Sequence, residues 1–159
     1  MSEKTTDLCD DFSDQLRIAS PIFQDYGGRR LFNGPVTTVK VFEDNSLVRA
    51  ALEEPGDARV LVVDGGGSMR CALLGDQLAL LGQKNNWVGV IVYGCIRDSA
   101  DIAQLDIGVK ALNTHPLKSV KKALASGTFR LLSLVSPFSP AIISTPIATV
   151  LSWPSVPWQ

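Results

Sequence analysis

Apolar positions along the chain fall into short blocks that read as alternating helices and strands. Leu8, Phe12 and Leu16 recur every fourth position between Thr6 and Leu16, which predicts a helix with one buried stripe and a cap at Thr5 or Thr6. Gly27, Gly28, Asn33-Gly34 and Pro35 then mark a loop before an alternating strand, Val36 to Phe42. Asp44 or Asn45 caps a second helix through Glu53, and Pro55-Gly56-Asp57 turns the chain back. The runs Val60 to Val63 and Val88 to Val92 are rich in β-branched residues and closed by glycine, the pattern of strands covered on both faces. Between them Gly75-Asp76-Gln77-Leu78 opens a third helix, with Leu78, Leu81 and Leu80 on its inner face and Asp76 as its N-cap. Val109 to Leu112 forms a further strand ahead of His115. This alternation places the chain in the α/β class with a mixed sheet.

Composition narrows the picture. A chain of 159 residues with 45% hydrophobic residues can bury the core of one domain. A formal charge of −1 with 19% charged residues provides no basic field for nucleic acid. The opening MSEKTTDLCDDF lacks the features of a signal peptide, and no apolar run is long enough to cross a bilayer, so neither nucleic acid nor membrane is an expected partner. Cys9, Cys71 and Cys95 are odd in number and widely spaced, which suits a reducing cytoplasm rather than a disulfide framework or a zinc site.

The candidate chemistry lies at strand ends. After Tyr93-Gly94-Cys95-Ile96 come Arg97 and Asp98, with Asp101 one helical turn further on. Open amides at the Gly75 helix start can hold a carboxylate or phosphate, and an arginine fork grips a planar carboxylate. Asp98 and Asp101 are hard oxygen donors suited to magnesium or manganese, which keep several waters and take one or two protein carboxylates. The plainer alternative is a capped, solvated helix start, and spacing alone leaves both open.

Other motifs carry less. Asp64-Gly65-Gly66-Gly67-Ser68 follows a strand, but the dinucleotide glycine spacing fails at Arg70 and no Gly-Lys-Ser/Thr follows, so a close backbone approach is the simpler reading. His115 has no nucleophile at readable spacing and is expected to be structural. Cys95 stands beside Arg97, where a thiol could be acidified, but cysteine is more often a small buried hydrophobe. Arg29 and Arg30 read as a solvated or subunit-facing pair.

Gly27-Gly28-Arg29-Arg30, Phe42-Glu43-Asp44-Asn45, the run Val60 to Ser68, Gly75-Asp76-Gln77-Leu78, Gly94-Cys95-Ile96-Arg97-Asp98 and Gly108-Val109-Lys110-Ala111-Leu112 occur in order. Together, from about Thr5 to Lys122, they resemble the family named after the regulator of ribonuclease activity A (RraA), most of whose members are 4-hydroxy-4-methyl-2-oxoglutarate aldolases. The resemblance implies a swivelling β/β/α sandwich, a homotrimer with sites near subunit boundaries, and metal-dependent cleavage of that substrate to two pyruvates, with oxaloacetate decarboxylation as a side activity. It further implies that Asp98 ligates the metal directly and Arg97 holds substrate and offsets the developing oxyanion. The amides of Gly75, Asp76, Gln77 and Leu78 would bind the substrate carboxylate, and Asp76 and Asp101 would act through metal-bound water. The competing reading within the family is a non-catalytic regulator that binds ribonuclease E. A label of methyl transfer to demethylmenaquinone also exists, but no adenosylmethionine-binding glycine loop is readable.

The resemblance stops after Lys122, dividing a domain at 1–122 from a tail at 123–159. From Leu131 to Gln159 no residue is charged, while five of the nine prolines and two of the three tryptophans fall there. Those prolines exclude a membrane span, and without a basic residue the stretch is a poor ligand for an SH3-like module. A shift of one base restores the family's ending: Pro140, Ala141 and Ile142 can then read proline, glycine and aspartate, and Ala123, Ala125 and Thr128 can read glycine, glycine and aspartate. The tail as written is expected to leave the last strands missing or altered, with open sheet edges.

Overall fold

The computed structural model describes residues 5–121, 141–144 and 149–152. In chain order the elements are α1 (Thr5–Phe12), a 3-10 turn (Ser13–Gln15), β1 (Leu16–Ile18), β2 (Gln24–Asp25), β3 (Phe32–Lys40), α2 (Ser46–Glu53) and β4 (Val60–Asp64). There follow β5 (Ala72–Leu74), α3 (Asp76–Lys84), β6 (Gly89–Ile96), α4 (Ser99–Ile102), β7 (Gly108–Thr114), β8 (Ala141–Ser144) and β9 (Thr149–Ser152). They form a mixed α/β domain on one sheet, ordered β1-β9-β8-β3-β4-β6-β7-β2, with β5 on β6 beside that path. The centre, β3-β4-β6-β7, is parallel, and β2, β8 and β9 pair antiparallel.

Strand alternation sends two sets of residues to opposite faces. On one face Val39, Leu61, Val63, Val90, Val92, Val109 and Ala111 join Val48 and Leu52 of α2, and Leu78 and Ala79 of α3, in the main core. The other face holds a smaller cluster of Phe32, Val36, Val60 and Ile91. Among the described residues covering is thus complete on the helical face only, and Tyr93 on the other is 41% exposed. Further along that strand row, buried Lys110 of β7 places Nζ 2.8 Å from Asp25 Oδ1 of β2.

The glycine-rich turn has a sheet-building role. β4 pairs with β6 up to Asp64 opposite Tyr93; the chain then leaves the sheet and rejoins it as β5, with Ala72 opposite Cys95. Gly65 and Gly67 both donate their N–H to the Tyr93 carbonyl at 3.1 Å, and Gly66 and Gly67 adopt left-handed φ values of 66° and 71°.

Several elements depart from the sequence reading. α1 stops at Phe12, because Leu16 to Ile18 pair with β9 instead of extending the helix. β3 begins at Phe32 and takes in Asn33-Gly34-Pro35: its pairing with β4 starts only at Val36, and residues 32–35 face β8. It ends at Lys40, and Phe42 is exposed. α2 ends at Glu53 as expected, with the Asp44 carboxylate accepting from the Ser46 N–H at 2.8 Å. α3 is capped by the backbone of Gly75, with no side-chain cap bond, so Asp76 is its first residue and not its cap. The inner stripe of α3 is Leu78, Ala79 and Gly82; Leu81 packs against the core from its margin and Leu80 is half-exposed.

Most of the tail lies outside the described residues. At 141–144 and 149–152, however, strands are present: β8 pairs with β3 and β9, and β9 with β1, so the edge expected to stay open is covered there. Backbone ladders ask only for extended residues, and Ile142, Ile143 and Val150 are β-branched. No helix among the described residues is long and apolar enough to cross a membrane.

Arg29 is not a free surface cation. Its Nε and Nη2 donate to Asp106 Oδ1 and Oδ2 at 3.0 and 2.8 Å, a bidentate clamp between the loop after β2 and the loop before β7. This bond holds the Asp106 carboxyl below its ordinary value of 3.8, whereas Arg30 is exposed. A carboxyl acidified in the folded state stabilises above its unfolded pKa and ceases to as pH falls through the lowered folded value. The gap in urea midpoint between wild type and Asp106→Asn therefore closes as pH drops from 5 toward 2; a gap that widens would contradict the clamp.

Phe32 sets the opening of the sheet. Its ring lies over Gly89 and Gly108, the paired first residues of β6 and β7, and a side chain at Gly89 would come 2.5 Å from the ring. Gly108→Ala is expected to destabilise the fold by about 1–3 kcal/mol through overpacking, read from chemical denaturation. Phe32→Leu combined in the same chain, which makes room, is expected to recover part of that loss.

Candidate active site

Strands β5 and β6 end side by side. The Arg97 N–H donates to the Leu74 carbonyl at 2.9 Å, fastening the exit of β6 to the exit of β5. The next residue of the β5 chain is Gly75, and the next of the β6 chain is Asp98. A methyl group at Gly75 would stand 3.1 Å from Asp98 Oδ2 and 3.3 Å from Arg97 Nε. Arg97 Nε and Asp98 Oδ2 are themselves 3.3 Å apart, with side chains 40% and 37% exposed. The sequence-predicted helix start, arginine and aspartate thus meet at one point.

Local backbone explains the placement. Asp98 has φ 54° and ψ 40°, a left-handed conformation that ends β6, and its carbonyl accepts from the Asp101 and Ile102 N–H groups to start α4. For a residue other than glycine that conformation costs about 1–2 kcal/mol, and such strain tends to collect at working sites. The φ of Gly75 is extended, at −124°, so glycine is required there by the neighbouring charged pair and not by torsion. With Gly75 as cap, the first-turn amides of α3 have no side-chain acceptor.

A cavity of about 270 Å³ opens at this helix start. Gly75 to Leu78 and Arg97 form one part of its wall, Arg49 of α2 and Asn45 just before that helix a second, and Lys118, Ser119 and Lys121 a third. The last segment is held by backbone bonds to β5: the Ala72 N–H donates to the Leu117 carbonyl at 2.7 Å, and the Ser119 N–H to the Ala72 carbonyl at 3.1 Å. Among the described residues Asp76 is the only carboxylate on the wall, and its Oδ2 accepts from the Gln77 side-chain amide at 2.7 Å.

The sequence reading anticipated Gly75 to Leu78, Arg97 and Asp98 at one place. Asp101 is not drawn in with them: it is exposed on α4, and among the described residues its side chain has no hydrogen bond or ion pair. Arg49, Lys118, Ser119 and Lys121 escaped notice, as did the cavity role of Asn45, read only as a cap. The available signal was the spacing of Asn45 and Arg49, one helical turn apart, and the polar cluster after Pro116.

The remaining candidates are structural. The His115 N–H donates to the Ile96 carbonyl at 2.8 Å and its Nδ1 accepts from the Leu117 N–H at 3.1 Å, so it shapes the loop that carries Ser119. Burial pushes the Cys95 thiol up, opposite to an activated thiolate, and its Sγ lies 3.5 Å from Met69 Sδ. Burial raises the Cys71 thiol as well.

As a cation site, the donor set among the described residues consists of one partly exposed carboxylate, Asp98, which stands next to Gly75 at the edge of the cavity and does not line it. No group of three or more histidine, cysteine or acidic residues gathers among the described residues. A hard divalent ion that keeps most of its waters and is completed by its substrate fits such a donor; a closed protein cage is not present.

A protein of Alkalilimnicola ehrlichii with the provisional name 4-hydroxy-4-methyl-2-oxoglutarate aldolase is 73% identical over 124 residues, 78% of this chain and 77% of that protein. One from Aromatoleum aromaticum with the same provisional name is 66% identical over 122 residues, 77% of each chain. Among solved structures, the RNA-processing inhibitor RraA from Thermus thermophilis superposes with a TM-score of 0.85 at 38% identity, covering 99% of this chain and 96% of that one. A Geobacillus kaustophilus protein described as an S-adenosylmethionine:2-dimethylmenaquinone methyltransferase superposes at 0.81 with 46% identity, covering 94% of both. The RraA-like family model, described as Aldolase/RraA, matches residues 5–131, and the chain belongs to that family.

Proposed function

We propose that the chain is a divalent-metal-dependent aldolase that cleaves 4-hydroxy-4-methyl-2-oxoglutarate into two molecules of pyruvate, with oxaloacetate decarboxylation as a secondary activity. The observation that carries this reading is the convergence of Arg97 and Asp98 on Gly75.

The substrate's 2-oxo acid end lies against the α3 start, where the amides of Asp76, Gln77 and Leu78 donate to its carboxylate. Arg97 fixes that end in the plane of its guanidinium and faces the keto oxygen, where negative charge develops. Asp98 would hold the divalent cation, magnesium or manganese, which when bound supplies Lewis-acid stabilisation to the keto oxygen. Asp76, on the cavity wall, would orient water near it. Cleavage removes the proton of the C4 hydroxyl; its electrons form the new carbonyl, the C3–C4 bond breaks, and that pair passes to C3 and the keto oxygen as the enolate of pyruvate. Protonation at C3 gives the second pyruvate. With His115 bonded into its loop, a water near Asp76 is the proposed base.

The inhibitor reading draws support from the likeness to the Thermus protein. Asp98 favours the enzyme, since a protein acting only by docking to ribonuclease E has no need of a strained carboxylate beside an arginine. Methyl transfer finds little support: the glycine turn is packed against Phe42 and Tyr93, which leaves no open cradle for a nucleoside. The working assembly proposed is a homotrimer, and exposed Leu117 and Val120, either side of Ser119, suit coverage by a neighbouring subunit. Free Cys9, Cys71 and Cys95 support a cytoplasmic setting. We read the tail after Lys122 as the family's ending in a shifted frame, so the same assay belongs on both the chain as written and its frame-restored form.

Pyruvate release is expected to require added Mg2+ or Mn2+, to vanish with EDTA, and to fall by roughly 100-fold or more in Asp98→Ala. Metal-independent turnover, or an Asp98→Ala variant of wild-type rate, would overturn the assignment.

A further inference from the structure

Ser119 lines the cavity, is 5% exposed, and its Oγ has no hydrogen-bond partner among the described residues. Its main chain is committed: the N–H donates to the Ala72 carbonyl, and the preceding Leu117 carbonyl accepts from Ala72. The hydroxyl therefore has rotation about its own bond as its freedom, and nothing in the segment satisfies it. Buried polar groups in folded proteins are almost always paired, so one left over on a cavity wall is suited to a partner that arrives with a ligand.

The charge around it indicates what that partner is. Arg49, Lys118 and Lys121 share the cavity with Ser119, and among the described residues Asp76 is the only acidic side chain on the wall. Lys118 and Lys121 have no ion-pair partner among the described residues, while Arg49 makes one exposed contact, 3.7 Å to Glu53. One carboxylate placed on the α3 amides and Arg97 uses none of Ser119, Lys118 or Lys121. A cavity of about 270 Å³ suits a short diacid.

We propose that Ser119 is a specificity-determining residue whose hydroxyl, flanked by Lys118 and Lys121, receives the distal carboxylate of a dicarboxylic 2-oxo acid. This rests on the reading of the α3 start as the seat of the 2-oxo acid end. Selection then works by pairing: a substrate lacking the second carboxylate leaves the hydroxyl orphaned and the lysines without a counter-charge.

Isothermal titration of the full chain with Mg2+ tests this using two non-cleavable probes of equal length, 2-oxoglutarate and 2-oxopentanoate. The wild type is expected to bind the diacid about tenfold or more tightly. Ser119→Ala is expected to erase most of that ratio by weakening the diacid alone, leaving 2-oxopentanoate affinity and the thermal midpoint unchanged; Lys121→Gln narrows the ratio in the same sense. Equal binding of both acids by the wild type, or a Ser119→Ala variant that keeps the ratio or weakens both acids alike, overturns the role of Ser119 while leaving the keto-acid seat intact. Binding of neither acid overturns both readings.

Discussion

The hydrogen bond from the Arg97 N–H to the Leu74 carbonyl decides where everything else in the site stands. It closes β5 onto the end of β6 after a register shift between Ala72 and Leu74, so that two strand exits, Gly75 and Asp98, are held together. Side chains alternate along a strand, and a slip of one residue would send Arg97 to the opposite face. The glycine turn Gly65 to Gly67 makes this geometry possible by letting the chain leave β6 at Tyr93 and return to it at Cys95. The left-handed Asp98 then converts strand into helix in one step, turning its carboxylate back toward Gly75.

The rest of the fold supports that point from below. The parallel strands β4, β6 and β7 are registered from their first residues, Val60, Gly89 and Gly108, under the Phe32 ring, and the helical face buries the main apolar cluster. The cavity lies at their carboxyl ends, where open α/β sheets bring loops and helix starts together. Among the described residues its charge is one-sided: two arginines and two lysines face a single carboxylate that is already bonded to Gln77. Such an arrangement favours a small acid over a neutral ligand before any catalytic step is considered.

What the sequence made legible follows from the range of the forces involved. Val60 to Val63, Val88 to Val92 and Val109 to Leu112 announced the parallel centre because both periodicity and β-branching are local. Arg97 and Asp98 were visible because a strand exit delivers them together with the opposite helix start. β5 was not legible, being three residues whose pairing depends on a detour of the chain. Pro35 argued for a loop, yet Phe32 anchors a strand through it by packing on glycines distant in sequence. Asp76 looked like a cap by type, but the extended backbone of Gly75 took that position. Ser119 carries no motif; its importance appears only once the segment from Leu117 is tied to Ala72. The open edge expected from the tail was closed at 141–144 because backbone pairing places few demands on side chains.

The central claim is that main-chain amides at the start of α3 and the Arg97 guanidinium grip one 2-oxo acid together. Titrating pyruvate into 15N-labelled protein with Mg2+ present reads this most directly. The account predicts saturable shifts of the Gln77 and Leu78 amides and of the Arg97 Nε resonance, all with a single Kd. Shifts confined to other regions, or separate Kd values for the helix start and Arg97, would contradict it.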